Sequence, residues 1–298
     1  MSAIAKTIVA TGATSGLGFE LVKQLLAQTQ PYKFILGARD VETSQAAYNG
    51  LKYDSSTHDV TIFPVELKNM KSVKTFAQQT LEKVGSDKID FLMLNAGTAM
   101  AKNGEGPYGS KWSEPYLVNH LSQHYLTHLL RKKLEESRTR VVVVSSGAVR
   151  QVTDTNVLKE EARASNSESA ASSGLPAVYG VTKFIQLLSA HWWRRELRDT
   201  CKVVAVSPGL IPGTGIGRGS GWKIVLNLTD AKSVPEGAQS IYAAFTRDDF
   251  PEDPEQIFLT SWGEWWPKDV YGLSLDKALQ EKWSPSQERI ETEEGVTA

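Results

Sequence analysis

The stretch TIVATGATSGLG, from Thr7 to Gly18, decides how this chain folds. A short apolar run passes directly into a turn with glycines at positions 12, 16 and 18, and an amphipathic segment begins near Ser15. Glycine permits a tight turn and lets the backbone approach a pyrophosphate closely, while the free N–H groups at the start of the next helix attract the phosphate charge. The stretch therefore predicts a strand, a turn and a helix that bind a nucleotide, rather than a turn with a purely structural purpose.

Short apolar runs and longer amphipathic segments continue to alternate along the chain. The strand-like runs are 7–11, 33–38, 60–65, 89–95, 140–146, 202–207 and, more weakly, 257–261, with helical patterns near 16–28, 41–52, 70–84, 114–136, 178–199 and 235–246. Nearly continuous Val, Ile and Leu are typical of strands that helices cover on both faces. The alternation therefore predicts a single doubly wound α/β (Rossmann) domain with a parallel sheet over residues 1–298.

Three segments depart from this alternation. Residues 151–176 are polar and rich in Ser and Ala, which indicates an insert, because strands and helices resume after it. Residues 209–228 contain many glycines, which favours a substrate flap. Residues 262–298 carry four tryptophans and an acidic end, and we expect a C-terminal extension whose last residues fray.

The overall charge argues against two classes of partner. The chain has 33 Lys and Arg against 34 Asp and Glu, so it lacks the basic excess of a nucleic-acid or membrane-surface binder. No run approaches the roughly 18 apolar residues of a membrane span, and the N-terminus has no signal-peptide pattern. The single cysteine, Cys201, excludes an intramolecular disulfide. We therefore expect a cytoplasmic protein without nucleic-acid partners.

The end of the second predicted strand, GARD, bears on the choice of cofactor. An acid at this tip typically holds the ribose 2′-hydroxyl of NAD, whereas an arginine accommodates the 2′-phosphate of NADP. Arg39 can meet a phosphate with two hydrogen bonds, so we favour NADP(H). Asp40 is the competing NAD-type acid, displaced by one position, although an N-cap role for the next helix explains it more simply.

Tyr179 and Lys183 lie four residues apart in AVYGVTK and therefore share one helix face. A nearby ammonium stabilises a phenolate, so the pair is suited to proton transfer at a carbonyl or alcohol oxygen. Alone, this spacing is also common for a packed tyrosine beside a solvated lysine. The strand-end hydroxyl of Ser146 strengthens the functional interpretation, because ligands bind at the carboxyl ends of strands in such sheets.

Together these motifs resemble the short-chain dehydrogenase/reductases. The matching motifs, in the family's order over about residues 5–210, are TGxxxGxG, Asn95-Ala96-Gly97, Asn119, Ser146, Tyr179-xxx-Lys183 and Pro208-Gly209. The segments VNHLSQHYLTHLL and SPGLIPGTGIGR look most like the branch that contains retinol dehydrogenases, the WW-domain oxidoreductase and light-dependent protochlorophyllide reductases. The family pattern implies a parallel sheet of about seven strands.

The resemblance implies a role for each matched position. Tyr179 would be the general acid/base, and Lys183 would bond the nicotinamide ribose and lower the pKa of Tyr179. Ser146 would orient the substrate oxygen, and Asn119 would hold a water that links Lys183 to solvent. The implied cofactor contacts are Gly12, Ser15, Gly16, Leu17 and Gly18 at the pyrophosphate, Asn95, Ala96 and Gly97 at the adenosine, and Pro208 and Gly209 at the nicotinamide.

Three positions depart from the family pattern. Leu94 stands where the family usually has a first Asn. Glu66-Leu67 replaces the Asp-Leu pair whose carboxylate contacts adenine, so Glu66 and Leu67 remain candidate cofactor contacts. The threonine that usually holds the nicotinamide carboxamide is displaced by one position, since Gly213 precedes Thr214.

The resemblance implies an NADP(H)-dependent oxidoreductase that interconverts a carbonyl and an alcohol. The glycine-rich flap and the tryptophans favour an apolar small-molecule substrate. An NADPH-dependent enone C=C reductase and a non-redox NADP-binding scaffold or sensor remain alternatives. Members of the family are often dimers or tetramers, which allows a homodimer here, although the C-terminal extension is long enough to cover those surfaces.

Two further groups of residues have open interpretations. His120, His124 and His128 have a spacing that a metal site would use, but no Cys or carboxylate cluster matches it, so we expect buried helix-face histidines and no metal. Trp265 and Trp266 follow the last predicted strand, where they would line either a substrate pocket or an interface.

Overall fold

Seven parallel strands form one sheet in a computed structural model of the protein, which describes residues 4–99, 105–164, 177–212, 214–217 and 231–296. The strands are β1 (Lys6–Thr11), β2 (Tyr32–Ala38), β3 (Asp59–Pro64), β4 (Phe91–Leu94), β5 (Arg140–Val144), β6 (Lys202–Val206) and β7 (Phe258–Leu259). Their order across the sheet is β3-β2-β1-β4-β5-β6-β7. The order reverses between β1 and β4, so the sheet is doubly wound, and the predicted fold class is confirmed.

The helices occupy the segments with amphipathic patterns. They are α1 (Gly16–Leu26), α2 (Val41–Asn49), α3 (Met70–Val84), α4 (Glu114–Tyr116), α5 (Ser122–Ser137), α6 (Leu158–Glu161), α7 (Ala177–Glu196), α8 (Val234–Thr246), α9 (Lys277–Trp283) and α10 (Gln287–Glu293). A π-helical turn, Leu117–Leu121, joins α4 to α5 without a break. Short 3-10 turns lie at Pro107–Gly109, Gly147–Gln151, Thr155–Val157, Gly215–Gly217 and Lys268–Leu275.

The sheet divides the apolar core into two layers. Successive side chains of a strand point to opposite faces, so Ile8 and Ala10 of β1 pack with α1, α2 and α8, while Val9 packs with α3, α5 and α7. Both faces are covered, which explains the nearly continuous apolar character of the strands. Among the described helices, none is both long and apolar enough to cross a membrane.

The C-terminal extension packs over α5 and α7. Helix α9 lies against α7, and α10 lies against α5. Ile290 and Val296 are buried there, so the expectation that the acidic end frays is wrong up to residue 296. The sequence pattern gave little signal because ERIETEEG contains a single large apolar residue, Ile290, whereas in the structure Val296 is buried as well and the Tyr125 hydroxyl of α5 donates to Glu291 Oε1 at 2.7 Å.

Candidate active site

The glycine turn lies at the carboxyl end of β1, and close packing requires glycine at two of its three glycine positions. Gly12 has φ +64°, and a Cβ atom there would lie 2.5 Å from the Ala96 Cα. At Gly18 a Cβ atom would lie 2.3 Å from the Gly12 carbonyl oxygen. At Gly16 (φ +54°) the nearest atom would be a Thr214 methyl carbon at 3.8 Å, so this side of the turn is open to a ligand.

A hydrogen-bond network fixes the segment after β4 against the glycine turn. Asn95 Nδ2 donates to the Gly12 carbonyl at 2.6 Å. The main-chain N–H groups of Asn95 and Ala96 both donate to Thr11 Oγ1, at 3.2 and 3.3 Å. Thr11 Oγ1 in turn donates to Gln123 Oε1 at 3.1 Å, and Gln123 Nε2 donates to the Ala96 carbonyl at 2.8 Å. Thr11 and Gln123 lie within TGxxxGxG and VNHLSQHYLTHLL, but the sequence assigned neither a role, and the available signal was a polar residue in each buried pattern.

Arg39 is exposed at the end of β2, and no hydrogen bond or ion pair engages it within the described ranges. Asp40 is the N-cap of α2, since its carboxylate accepts a hydrogen bond from the Thr43 N–H at 2.9 Å. This contact confirms the capping interpretation of Asp40. The guanidinium of Arg39 is therefore free to meet a phosphate, while the competing carboxylate is already engaged.

Glu66 and Leu67 follow β3 but face different surroundings. Glu66 Oε1 accepts a hydrogen bond from the Lys68 N–H at 3.1 Å, and Leu67 is buried in the core. The carboxylate of Glu66 stays near the strand ends, where an adenine would approach. Only the main chain of Leu67 is available to a ligand.

Ser146, Tyr179 and Lys183 come together where β5 ends beside α7. The Ser146 side chain lies near enough to the Tyr179 phenol to lower the pKa of that phenol. Lys183 Nζ, one helical turn after Tyr179, donates to the Val144 carbonyl at 2.8 Å and to Gln186 Oε1 at 3.2 Å. No sequence motif indicates Gln186. Its position three residues after Lys183 on α7 does predict that the two side chains are neighbours, because residues three apart lie on one helix face.

Asn119 lies in the π-helical turn, a type of irregularity that is frequent at functional sites. Its Oδ1 accepts from the Thr98 N–H at 2.7 Å, and its Nδ2 donates to the Thr98 carbonyl at 2.9 Å and to Thr182 Oγ1 at 3.0 Å. A Cβ atom at Gly97 would lie 3.4 Å from Asn119 Oδ1 and 3.5 Å from Lys183 Nζ. Asn119 and Lys183 therefore flank one glycine of the segment after β4.

Burial controls the protonation of the two central groups. It raises the pKa of the Tyr179 phenol, and the Ser146 side chain lowers that pKa to a smaller extent. Burial also lowers the pKa of Lys183 to about 7. We expected the ammonium to lower the pKa of Tyr179, but the net direction is upward, because desolvation of the phenolate outweighs the favourable contacts.

The flap and the strand ends enclose Tyr179. Ile216 packs on Tyr179 together with Ala99 and Ala148, and the Ala99 N–H donates to the Ile216 carbonyl at 3.3 Å. Thr214 Oγ1 donates to the carbonyl of Ile211 at 3.1 Å, within its own loop. Residues 165–176 of the insert and residues 213 and 218–228 of the flap lie outside the described residues.

The end of β6 lies beside the end of β5. The Gly147 N–H donates to Ser207 Oγ at 3.0 Å, directly before Pro208 and Gly209. Gly209 has φ +95°, and a Cβ atom there would approach the Ser261 Cβ to 3.0 Å. Pro208 and Gly209 are thus held at the same edge as the glycine turn and Ser146.

The two tryptophans after β7 have different surroundings. Trp266 packs against Phe258, with 4.4 Å between the ring centroids, and lies 3.4 Å from the position of a Cβ atom at Gly147. Trp265 packs against Phe250 on the other face of the sheet. Trp266 lies beside Gly147, the residue that follows Ser146. Of the two tryptophans, Trp266 is therefore the one near the candidate site.

The three histidines of the 120–128 segment hold the C-terminal extension. His120 Nε2 donates to the Trp283 carbonyl and His124 Nε2 to the Pro285 carbonyl, both at 2.9 Å. His124 Nδ1 accepts from the Trp193 indole N–H at 2.9 Å. Over the described part of the chain, no group of three or more His, Cys, Asp or Glu is arranged to hold a metal.

Comparisons with known proteins agree with this geometry. A family model described as short chain dehydrogenase matches residues 6–157. A short-chain dehydrogenase/reductase of Pestalotiopsis microspora is 57% identical over 291 residues, which cover 97% of this chain and 98% of that protein. Human retinol dehydrogenase 13 is 29% identical over 218 residues, covering 72% of this chain and 62% of that protein.

Two solved structures show the same fold at low sequence identity. The NADPH-bound carbonyl reductase from chicken fatty liver superposes with a TM-score of 0.66 at 20% identity, over 89% of this chain and 94% of that one. An alcohol dehydrogenase from Thermococcus sibiricus has a TM-score of 0.63, also at 20% identity, over 86% of this chain and 96% of that one.

Proposed function

The chain belongs to the short-chain dehydrogenase family, in its retinol dehydrogenase-like branch, and we propose that it is an NADP(H)-dependent enzyme that interconverts a carbonyl and an alcohol on an apolar small molecule. The observation that carries the proposal is the meeting of Ser146, Tyr179 and Lys183 beside the glycine turn. The side chains of Asn119 and Lys183 both lie beside Gly97. A protein that only bound the nucleotide would not need a buried proton-transfer group there.

The residues present fit a nicotinamide dinucleotide phosphate. The open side of the turn at Gly16 lets a pyrophosphate approach the first N–H groups of α1. Arg39 offers an unpaired guanidinium at the end of β2, where a 2′-phosphate would lie. The chicken carbonyl reductase with this fold is itself bound to NADPH. When bound, the cofactor supplies or accepts a hydride at its nicotinamide ring.

Tyr179 would transfer the proton. Its phenol is protonated at neutral pH, because burial raises its pKa, and a protonated phenol can donate to a carbonyl oxygen that gains negative charge. The Ser146 hydroxyl would donate a hydrogen bond to the same oxygen and hold it within reach of the phenol. These features favour the direction from carbonyl to alcohol.

Lys183 would supply positive charge close to this proton. Its Nζ is held by Val144 and Gln186, so the ammonium cannot swing away from the site. A buried ammonium stabilises nearby negative charge more strongly than one in water does. Because burial lowers its pKa to about 7, we expect the charged form to be lost at mildly alkaline pH.

The surroundings of Tyr179 support an apolar substrate. Ala99, Ala148 and Ile216 contact or approach the phenol, and none of them offers a side-chain hydrogen bond. Trp266 adds an aromatic surface near Gly147. A ketone or aldehyde with an apolar body would therefore be bound mainly by hydrophobic contact, with the polar end at Ser146 and Tyr179.

Two measurements test the proposal. First, thermal stabilisation is compared for NADPH, NADP⁺, NADH and NAD⁺, and we expect the phosphorylated pair to raise the melting temperature more. Second, NADPH consumption is followed with a panel of apolar ketones, aldehydes and enones, with product analysis. Alcohol products support the proposal, whereas saturated ketones from enones would show C=C reduction instead. Binding of NADPH without turnover on any member of the panel would favour the scaffold alternative.

A further inference from the structure

A cavity of about 230 Å³ lies between the C-terminal helices and the segment that runs from Trp112 through α4 to Leu121 of the π-helical turn. Three segments converge on it. The loop before α4 contributes Trp112, α6 contributes Lys159, and the extension contributes Lys282 and Trp283. None of these residues belongs to the site around Tyr179, so the cavity needs an explanation of its own.

Three aromatic rings form the walls of this cavity. The ring centroid of Trp112 lies 4.5 Å from that of Tyr116 and 6.2 Å from that of Trp283, and those of Tyr116 and Trp283 are 5.9 Å apart. Aromatic rings pack favourably on other rings in offset or edge-to-face arrangements. The walls therefore suit a flat aromatic group.

Trp283 also carries a buried hydrogen-bond donor that lacks a partner. The residue is 95% buried, and its Nε1–H meets no acceptor among the described residues. This N–H is closed off from the cavity, because the Nε1 atom has almost no accessible surface, so Trp283 lines the cavity through its other atoms.

Positive charges outnumber negative ones at the cavity. Neither Lys159 nor Lys282 forms an ion pair with any described residue. Glu293 is neutralised by Lys111, with 2.8 Å between Oε2 and Nζ. Arg289 also pairs with Glu293, at 2.8 Å, so the lining cations Lys159, Lys282 and Arg289 outnumber the carboxylates of Glu293 and Glu294. The rim therefore attracts an anion.

A cationic ligand fits these contacts less well, although aromatic cages can bind cations. The Trp112 ring already carries the ammonium of Lys111, which lies 5.1 Å from the ring centroid. The two unpaired lysines would repel a second cation. From the rings and the lysines together, we propose that the cavity is a second binding site, for a small aromatic carboxylate.

The probe for this site is 2-naphthoate, followed by isothermal titration and by ligand-observed NMR. We expect saturable binding with a Kd on the order of 0.1–1 mM, as befits a ligand of this size. Lys159→Gln and Lys282→Gln should each weaken binding about threefold, and together about tenfold. Lys277→Gln, on α9 but outside the cavity, is the matched control and should leave the Kd unchanged.

Two further arms locate the ligand. Trp112→Ala removes one of the three lining rings, and we expect it to weaken binding a few-fold, with the thermal melt recorded alongside. Because the lysine variants change only exposed side chains, they keep the test decisive if Trp112→Ala fails to fold. Saturating NADPH should not displace 2-naphthoate.

Four results would overturn the assignment. These are no saturable binding of 2-naphthoate, an unchanged Kd in the double lysine variant, displacement by NADPH, or tighter binding of the neutral 2-naphthylmethanol or of a naphthylmethyl-trimethylammonium cation. Tighter binding of the cation would identify the cavity as an aromatic cage for cations.

Discussion

The ammonium of Lys183 donates to the main-chain carbonyl of Val144, with 2.8 Å between the two atoms. Val144 is the last residue of β5, and Ser146 follows two residues later. This bond therefore joins α7 to the strand that precedes Ser146. It places Tyr179, one helical turn before Lys183, beside Ser146. The relative positions of the three groups depend on this contact between helix and strand.

Replacing Tyr179 with Phe removes the proposed proton donor while keeping the ring. We expect kcat to fall about 10²- to 10⁴-fold, the usual range for general acid catalysis, with little change in the Kd for NADPH. Steady-state kinetics and cofactor titration measure the two quantities. Tyr53→Phe, in the loop between α2 and β3, is the control. Full turnover in Tyr179→Phe would show that the proton comes from another group.

Replacing Arg39 with Ala removes the guanidinium expected at the 2′-phosphate. NADPH binding should weaken by about 1.5–3 kcal/mol, the range of a charged hydrogen bond, and NADH binding should remain nearly unchanged. Direct titration of both cofactors measures the difference. Arg198→Ala, at an exposed position after α7, serves as the control. Equal losses for the two cofactors would rule out the phosphate contact.

Gln186 positions the ammonium of Lys183 through its Oε1, at 3.2 Å. Gln186→Leu removes this acceptor, so the pKa of Lys183 should fall further, and the alkaline limb of the kcat/KM profile should move to lower pH. Gln186→Glu adds a negative charge and should move the same limb to higher pH. A pH–rate profile of each variant provides the measurement. If both variants lower activity without moving the limb, Gln186 has only a packing role.

The buried histidines make the fold sensitive to acid. Burial lowers the pKa of His120 to about 3 and that of His128 to about 4, whereas an unfolded histidine titrates near 6.5. Between about pH 6.5 and 4 the unfolded chain binds protons that the folded chain does not, so the free energy of unfolding falls as the pH drops through this window.

Urea unfolding at several pH values measures that slope. In His120→Gln one of these imidazoles is absent, so the free energy of unfolding should depend less steeply on pH between about 6.5 and 4, whatever its absolute value. The same slope in the variant and the wild type would show that His120 does not contribute.

Local patterns were sufficient for the strands and helices, whereas the resemblance to the family supplied most of the candidate site residues. Every predicted strand lies within two residues of an observed one, because strand formation follows from runs of β-branched and apolar residues. The spacing of Tyr179 and Lys183 placed both on one face of α7, as helix geometry requires. The N-cap role of Asp40 was equally local, since it depends on a residue three positions away.

The sequence by itself thus determined the doubly wound sheet, the glycine turn and the residue types around Tyr179. Only the tertiary structure decided that burial raises the pKa of the phenol, and that Thr11 and Gln123, 112 positions apart, lock the segment after β4. The same holds for the histidines that fasten the C-terminal extension through Trp283 and Pro285. The physical reason is that desolvation and hydrogen bonds between distant segments depend on how those segments pack, whereas helix and strand periodicity depends only on neighbours along the chain.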